Sequence, residues 1–163
     1  PDFTEAPLVL IVEDEEDARL PLVDCMQRAG FRTMEATDGG HVLGLVQEYK
    51  PDVVLLDLTL PRFDGMQVLR QIKGDGTLRK SSIIMVTGDT DREIIEMCLS
   101  IGARDFVPKP WHGGDMQHRV RRAVKSSQAI AAQIERAHSR AVARMAARPK
   151  KSKRSPKKRA CAR

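Results

Sequence analysis

Three carboxylates, one hydroxyl and one ammonium stand where apolar runs of this chain stop. Asp57 follows Val53-Val54-Leu55-Leu56, and the pair Glu13-Asp14 follows Leu8-Val9-Leu10-Ile11-Val12. Thr87 closes Ile83-Ile84-Met85-Val86, and Lys109 comes directly after Phe106-Val107-Pro108. Short apolar runs rich in β-branched residues and closed by turn signals read as buried parallel strands. Open α/β sheets put their ligands at the carboxyl ends of such strands. Acids, a hydroxyl and an ammonium at those ends suit magnesium-dependent acceptance of a phosphoryl group.

Each residue type has a part in that chemistry. Asp57 is the expected nucleophile, since carboxylate attack on phosphorus gives an aspartyl phosphate. Phosphoryl transfer needs positioning and charge neutralisation more than covalent assistance. Magnesium takes oxygen ligands and keeps several waters, so a few carboxylates suffice. The expected ligands are Asp14 and Asp57 directly, Glu13 through water, and the backbone carbonyl of Thr59. Lys109 is expected to pair with one phosphoryl oxygen and Thr87 to donate a hydrogen bond to another. Glu15, Glu16 and Asp17 read as a solvated acidic helix start. His41, His112, His118 and His138 lack metal or nucleophile spacing and read as surface or partly packed residues.

The elements that position these groups alternate through residue 125. Strands are expected over 8–13, 31–36, 52–57, 82–87 and 104–108. Helical patterns lie near 16–29, 38–49, 64–74 and 91–101, with a fifth beginning near 113. Gly30, Gly74-Asp75-Gly76 and Gly102 supply stops, and Asp38-Gly39 and Thr90-Asp91 supply starts. Pro21 falls inside the first helical pattern and demands a kink or a nearby start. Five βα units imply an α/β fold, doubly wound, with a five-stranded parallel sheet and helices on both faces. The last helix runs on: Val120, Ala123, Val124, Ser127, Ile130, Ile134, Ala137, Ala141 and Met145 recur mostly at spacings of three or four. That seam is rich in Ala and suits at most a weak coiled coil.

The 163 residues hold 28 Lys and Arg against 22 acids, a net charge of +6 that averages two unlike parts. Residues 126–163 carry 12 of the basic residues and one acid, Glu135, for a net of +11. The first 125 residues carry 16 basic and 21 acidic residues, for a net of −5. The segment from Lys150 to Arg159 cannot bury a core and is expected to be disordered. Cys25, Cys98 and Cys161 have no metal spacing; Cys25 and Cys98 lie in apolar helical patterns and read as small buried hydrophobes. No apolar run approaches the roughly 18 residues of a membrane span. With Pro1 read as the residue left after loss of an initiator Met, the expected location is the cytoplasm.

On Glu13-Asp14, Asp57, Thr87 and Lys109-Pro110, together with Asp57…Pro61…Asp64-Gly65, residues 7–125 resemble the receiver domain of two-component response regulators, the CheY-like family. The resemblance implies a flavodoxin-like sheet of order 2-1-3-4-5 and a magnesium cofactor. It also implies that Phe106 is the aromatic that turns inward when the Thr87 hydroxyl moves, and that the Lys109-Pro110 bond is cis. Thr59 and Asp89 then lie two residues beyond the acceptor and the switch hydroxyl, where side chains line the path of attacking water. The implied plan is a phosphoacceptor domain over 1–125, a helical extension over 126–148 and a disordered basic tail over 149–163. The chain is then no enzyme acting on external substrates; its chemistry is its own phosphorylation and autodephosphorylation.

Partners implied are a histidine kinase or histidine phosphotransfer protein, with a second copy of the chain as a further docking partner. An alternative output is non-specific binding of nucleic acid or another polyanion by the tail 148–163 through counterion release. No aromatic residue is interleaved there, which argues against base stacking. A phosphatase of the haloacid dehalogenase type fits less well. It needs a second Asp two residues after the first, where this chain has Thr59.

Overall fold

The computed structural model describes residues 6–76, 78 and 80–146. The strands are β1 (Leu8–Val12), β2 (Arg32–Ala36), β3 (Val53–Leu56), β4 (Ser82–Thr87) and β5 (Asp105–Pro108). The helices are α1 (Glu16–Arg28), α2 (Val42–Tyr49), α3 (Gly65–Gly74), α4 (Arg92–Ile101) and α5 (Gly113–Ala146). The strands form one parallel sheet in the order β2-β1-β3-β4-β5. This is the flavodoxin-like order that the resemblance implies. A first compact unit ends at Ala131; beyond it, the described residues 132–146 are helical. The basic tail from 149 onward and Cys161 lie outside the described residues.

Why the central strands are unbroken apolar runs is plain from the packing. Side chains alternate across a strand, and both faces of this sheet are covered. Val9, Ile11, Val53, Leu55, Ile84 and Val86 pack on one face with Leu22, Met26, Met116 and Val120. Leu10, Val12, Val54, Leu56, Ile83 and Met85 pack on the other with Val46, Leu69, Ile72 and Cys98. Thus α1 and α5 cover one face, and α2, α3 and α4 the other. The edge strands β2 and β5 are more exposed and more polar. Buried hydroxyls fasten α5 to the ends of neighbouring segments: Ser82 Oγ donates to the Ala123 carbonyl (2.9 Å) and Ser127 Oγ to the Lys80 carbonyl (2.6 Å).

One boundary differs from the sequence pattern, and one proline is accommodated inside a helix. The second helix begins at Val42 rather than near residue 38. The Asp38 carboxylate accepts the Gly40 amide (2.8 Å), closing a turn that comes before the helix. A side chain on Gly39 or Gly40 would meet Phe63, so this stretch is shaped by a tertiary contact rather than by a cap. The first helix runs through Pro21 without stopping. Pro21 lies on the exposed face, where the carbonyl it leaves unpaired can be hydrated.

Three of the residues at the strand tips are held by backbone rungs from neighbouring strands. The Glu13 amide donates to the Ala36 carbonyl (3.0 Å), Asp57 to Val12 (3.0 Å) and Lys109 to Thr87 (2.9 Å). The loop after Asp57 closes just as tightly. Gly65 donates its amide to the Leu58 carbonyl (2.9 Å), and a Cβ there would collide with the Asp57 carbonyl and the Leu58 Cα. Substituting Gly65→Ala should therefore destabilise the domain by about 1–3 kcal/mol, the usual range for overpacking. Gly44→Ala, in α2 with nothing within 4 Å of the added carbon, should stabilise by about 0.5–1 kcal/mol. Urea unfolding of both variants checks the opposite signs.

Candidate functional site

The tips of β1, β3, β4 and β5 converge on one cleft. Glu13 directly follows β1, and its side chain is 2% exposed. Asp57 directly follows β3, with a side chain 7% exposed. Between them lies the ammonium of Lys109, which donates to Glu13 Oε2 at 2.6 Å and to Asp57 Oδ2 at 2.7 Å. The remaining oxygens are also engaged: Glu13 Oε1 accepts the Glu15 amide (3.3 Å) and Asp57 Oδ1 the Thr59 amide (3.1 Å). Asp14 is different. Its carboxylate is exposed and accepts no hydrogen bond among the described residues.

Burial and charge pull against each other here. Burial raises the Glu13 pKa; the Lys109 hydrogen bond opposes this, Asp57 nearby reinforces it, and the outcome lies above the ordinary value. For Lys109, burial alone would favour the neutral amine. The hydrogen bonds to Asp57 and Glu13 outweigh that and hold the ammonium above its ordinary pKa. The cluster therefore has one partly buried cation for two buried acids.

Thr87 ends β4, buried, and its Oγ1 accepts the Asp89 amide (3.2 Å). That leaves the hydroxyl proton available for donation. Asp89 Oδ1 in turn accepts the Asp91 amide (3.0 Å), and Asp91 caps α4. The cleft, of about 540 Å³, is lined by Glu13, Asp14, Asp57, Thr59, Leu60, Pro61, Thr87, Asp89 and Lys109 among others. The candidate residues Glu13, Asp14, Asp57, Thr59, Thr87 and Lys109 thus share one cavity. Phe106 does not line it; half-buried, it packs against the face covered by α2, α3 and α4. The Lys109-Pro110 peptide bond is cis.

The loop beyond Asp57 owes its form to local chemistry. Asp64 caps α3 by accepting the Met66 amide (3.0 Å), and Gly65 permits the close approach to Asp57 described above. Arg62 takes a positive φ of 68°. The sequence reading missed Arg19, whose guanidinium reaches the backbone beneath the acid pair. Its spacing, one helical turn into α1, carries no signal of its own.

The donor set suits magnesium. It consists of carboxylate and carbonyl oxygens, with one free acid at the mouth of the cleft. Among the described residues, no three acid, His or Cys side chains are gathered as a complete cage. Magnesium does not require one, since it keeps several waters and takes one or two carboxylates.

Comparison with known proteins gives the family. The family model for the response regulator receiver domain matches residues 9–121. The DNA-binding response regulator MtrA of Mycolicibacterium smegmatis is 33% identical over 120 residues, covering 74% of this chain and 51% of that protein. The chain thus spans about half the length of the curated relatives it matches. A CheY-like receiver domain protein from Methanospirillum hungatei has a TM-score of 0.69 at 22% identity, covering 76% of this chain and 98% of that one, a likeness of fold. The receiver domain of the sensor histidine kinase PA1611 of Pseudomonas aeruginosa has a TM-score of 0.68 at 25% identity, covering 74% of this chain and 98% of that one. It was solved with a magnesium ion coordinated in its active-site cleft.

A raised Glu13 pKa means that folding favours the protonated carboxyl. That contribution is full below the ordinary value of 4.5 and is lost as pH rises through the raised value in the fold. In the absence of divalent cations, Glu13→Gln, neutral throughout, should melt at a higher temperature than the parent at pH 7. The difference should vanish below about pH 4. Thermal scans at both pH values decide it, and a less stable variant at pH 7 would refute the electrostatic account.

Proposed function

The chain belongs to the response regulator receiver domain family, and on that premise we propose that it accepts a phosphoryl group on Asp57. The observation that carries this reading is the Lys109 ammonium, bonded at once to Asp57 and Glu13 inside a cleft that Thr87 also lines. The donor is a histidine kinase or a histidine phosphotransfer protein. An Asp57 carboxylate oxygen attacks phosphorus; an O–P bond forms and the P–N bond to the donor imidazole breaks. Lys109 then trades its hydrogen bond to the Asp57 carboxylate for one to a phosphoryl oxygen. Thr87 donates its hydroxyl proton to another phosphoryl oxygen, drawing the loop that follows β4 inward. Asp14 and Asp57 would hold magnesium directly, with Glu13 through water and the Thr59 carbonyl completing the protein's share. Bound magnesium supplies neutralisation of the phosphoryl charge.

The switched surface is that of α4, β5 and the start of α5, with Phe106 turning inward as Thr87 moves. Phosphorylation shifts an existing two-state equilibrium rather than building a new fold. The half-exposed Met97 and Leu99 of α4 support docking there, by a partner protein or a second copy of the chain. The names of the relatives, which are DNA-binding and transcriptional regulators, support a cytoplasmic setting. Among the described residues, no helix is long and apolar enough to cross a membrane.

Acetyl phosphate or a phosphohistidine donor with magnesium should label the parent chain, and Asp57→Ala should abolish labelling. Intact-mass analysis checks this. An aspartate still phosphorylated in Asp57→Ala would remove Asp57 from its role.

A second reading rests on the charge division. Nine Lys and Arg residues and no acid occupy 147–163, which suits non-specific binding of a nucleic-acid backbone. Arg136, Arg140 and Arg144, on the exposed helix before it, share one face at i, i+4, i+8 spacing. Deleting 147–163 should abolish retention of a short DNA duplex at low salt. In the intact chain, the logarithm of affinity should fall against that of salt with a slope of up to about −8. Fluorescence anisotropy reads both, and undiminished binding by the shortened chain excludes the tail.

A further inference from the structure

We propose that Arg19 is the positioning residue that aims Asp14 at the cation site, an inference that rests on the phosphoacceptor reading above. Arg19 lies in α1, and its guanidinium turns back beneath the loop that leaves β1. One nitrogen, Nη1, donates to two successive carbonyl oxygens, of Glu13 (3.0 Å) and Asp14 (3.2 Å). Nε donates to Glu35 Oε2 on the neighbouring strand β2 (2.9 Å). The side chain is only 12% exposed.

The two acids of the pair are fixed by different means. The Glu13 side chain is gripped by Lys109, and its amide by the Ala36 carbonyl. The Asp14 carboxylate accepts no hydrogen bond among the described residues, so only its backbone can set its direction. Arg19 supplies that backbone constraint, and the planar guanidinium is what allows one side chain to reach two carbonyls and a carboxylate together. An ammonium has the charge but not the fork.

Position and charge make opposite demands here, which is what makes the assignment testable. A guanidinium near a cation site repels the cation, so if charge governed, removing Arg19 would tighten magnesium binding. If position governs, removal frees the Asp14 backbone and weakens binding. Glu35 pairs with Arg19 and offsets its charge at the site.

Calorimetric titration of the full chain with magnesium chloride measures the outcome. Arg19→Ala should weaken affinity tenfold or more, as losing a residue that orients a ligand commonly does. Arg19→Lys should fail to restore it. Ser127→Ala serves as a control because it removes a buried hydrogen bond to the Lys80 carbonyl, on a part of α5 that does not line the cleft. It should lower the melting temperature and leave magnesium affinity unchanged. Unchanged or tighter binding by Arg19→Ala overturns the proposal, as does a loss in Ser127→Ala equal to that in Arg19→Ala. If the parent chain neither binds magnesium nor is labelled on Asp57, the phosphoacceptor reading falls and takes this one with it. Normal labelling and binding by the parent, matched by Arg19→Ala, sinks only the role of Arg19.

Discussion

One ammonium shared between two buried carboxylates governs the site. Isolated charges at so little exposure are costly, and each acid tolerates burial because Lys109 and a backbone amide meet its oxygens. The arrangement is not neutral, however. Two buried acids face one cation, and Asp14 adds a third acid at the rim. The Glu13 pKa is raised chiefly by burial, which the Lys109 hydrogen bond offsets only in part and the nearby Asp57 charge reinforces. A cleft left with more negative than positive charge, lined by oxygens, is prepared for a divalent cation. On the phosphoacceptor reading proposed above, the same ammonium would be free to leave Asp57 for a phosphoryl oxygen once a cation held by these acids supplied the neutralisation.

That ammonium is held in place by the parallel sheet. All five strands run in one direction, so their carboxyl ends lie along one edge, and residues far apart in the chain meet there without long loops. The rungs from Glu13 to Ala36, Asp57 to Val12 and Lys109 to Thr87 carry the sheet's hydrogen bonding onto the functional residues themselves. Side chains that begin from so fixed a backbone need few partners of their own. Asp14, the acid whose backbone is one step beyond the rung at Glu13, is the one that needs extra support, and Arg19 is placed to give it.

What the sequence made legible was whatever has a period or a terminus. Continuous apolar runs announced the buried strands, because a sheet covered on both faces has no polar alternation. The residues ending those runs announced the cleft, because strand ends in such a sheet are neighbours by construction. Less legible were features made by approach in three dimensions. The start of α2 was misplaced because Asp38 caps a turn rather than a helix, and because Gly39 and Gly40 yield space to Phe63, a contact that local propensity does not encode. Arg19 escaped because its partners are backbone carbonyls, which every residue has and no motif marks. Asp64-Gly65 was seen as a family pattern, yet its physical cause is the lack of room above the Asp57 carbonyl.

The net charge of +6 describes neither part of this chain. The first 125 residues carry −5 and the rest +11. At physiological ionic strength, charges more than about 8 Å apart at the surface are largely screened from one another. The effective field around any charged partner is therefore set by the charges within that distance of it. On the readings proposed above, polyanion binding by the basic stretch would weaken steeply with monovalent salt, while cation binding among the buried oxygens of the cleft would be screened poorly. Within the first unit, α5 is held to the sheet by the Ser82 and Ser127 hydroxyls and by the face that carries Met116 and Val120, so the helix that leads toward the basic stretch begins from the same packed sheet whose strand ends line the cleft.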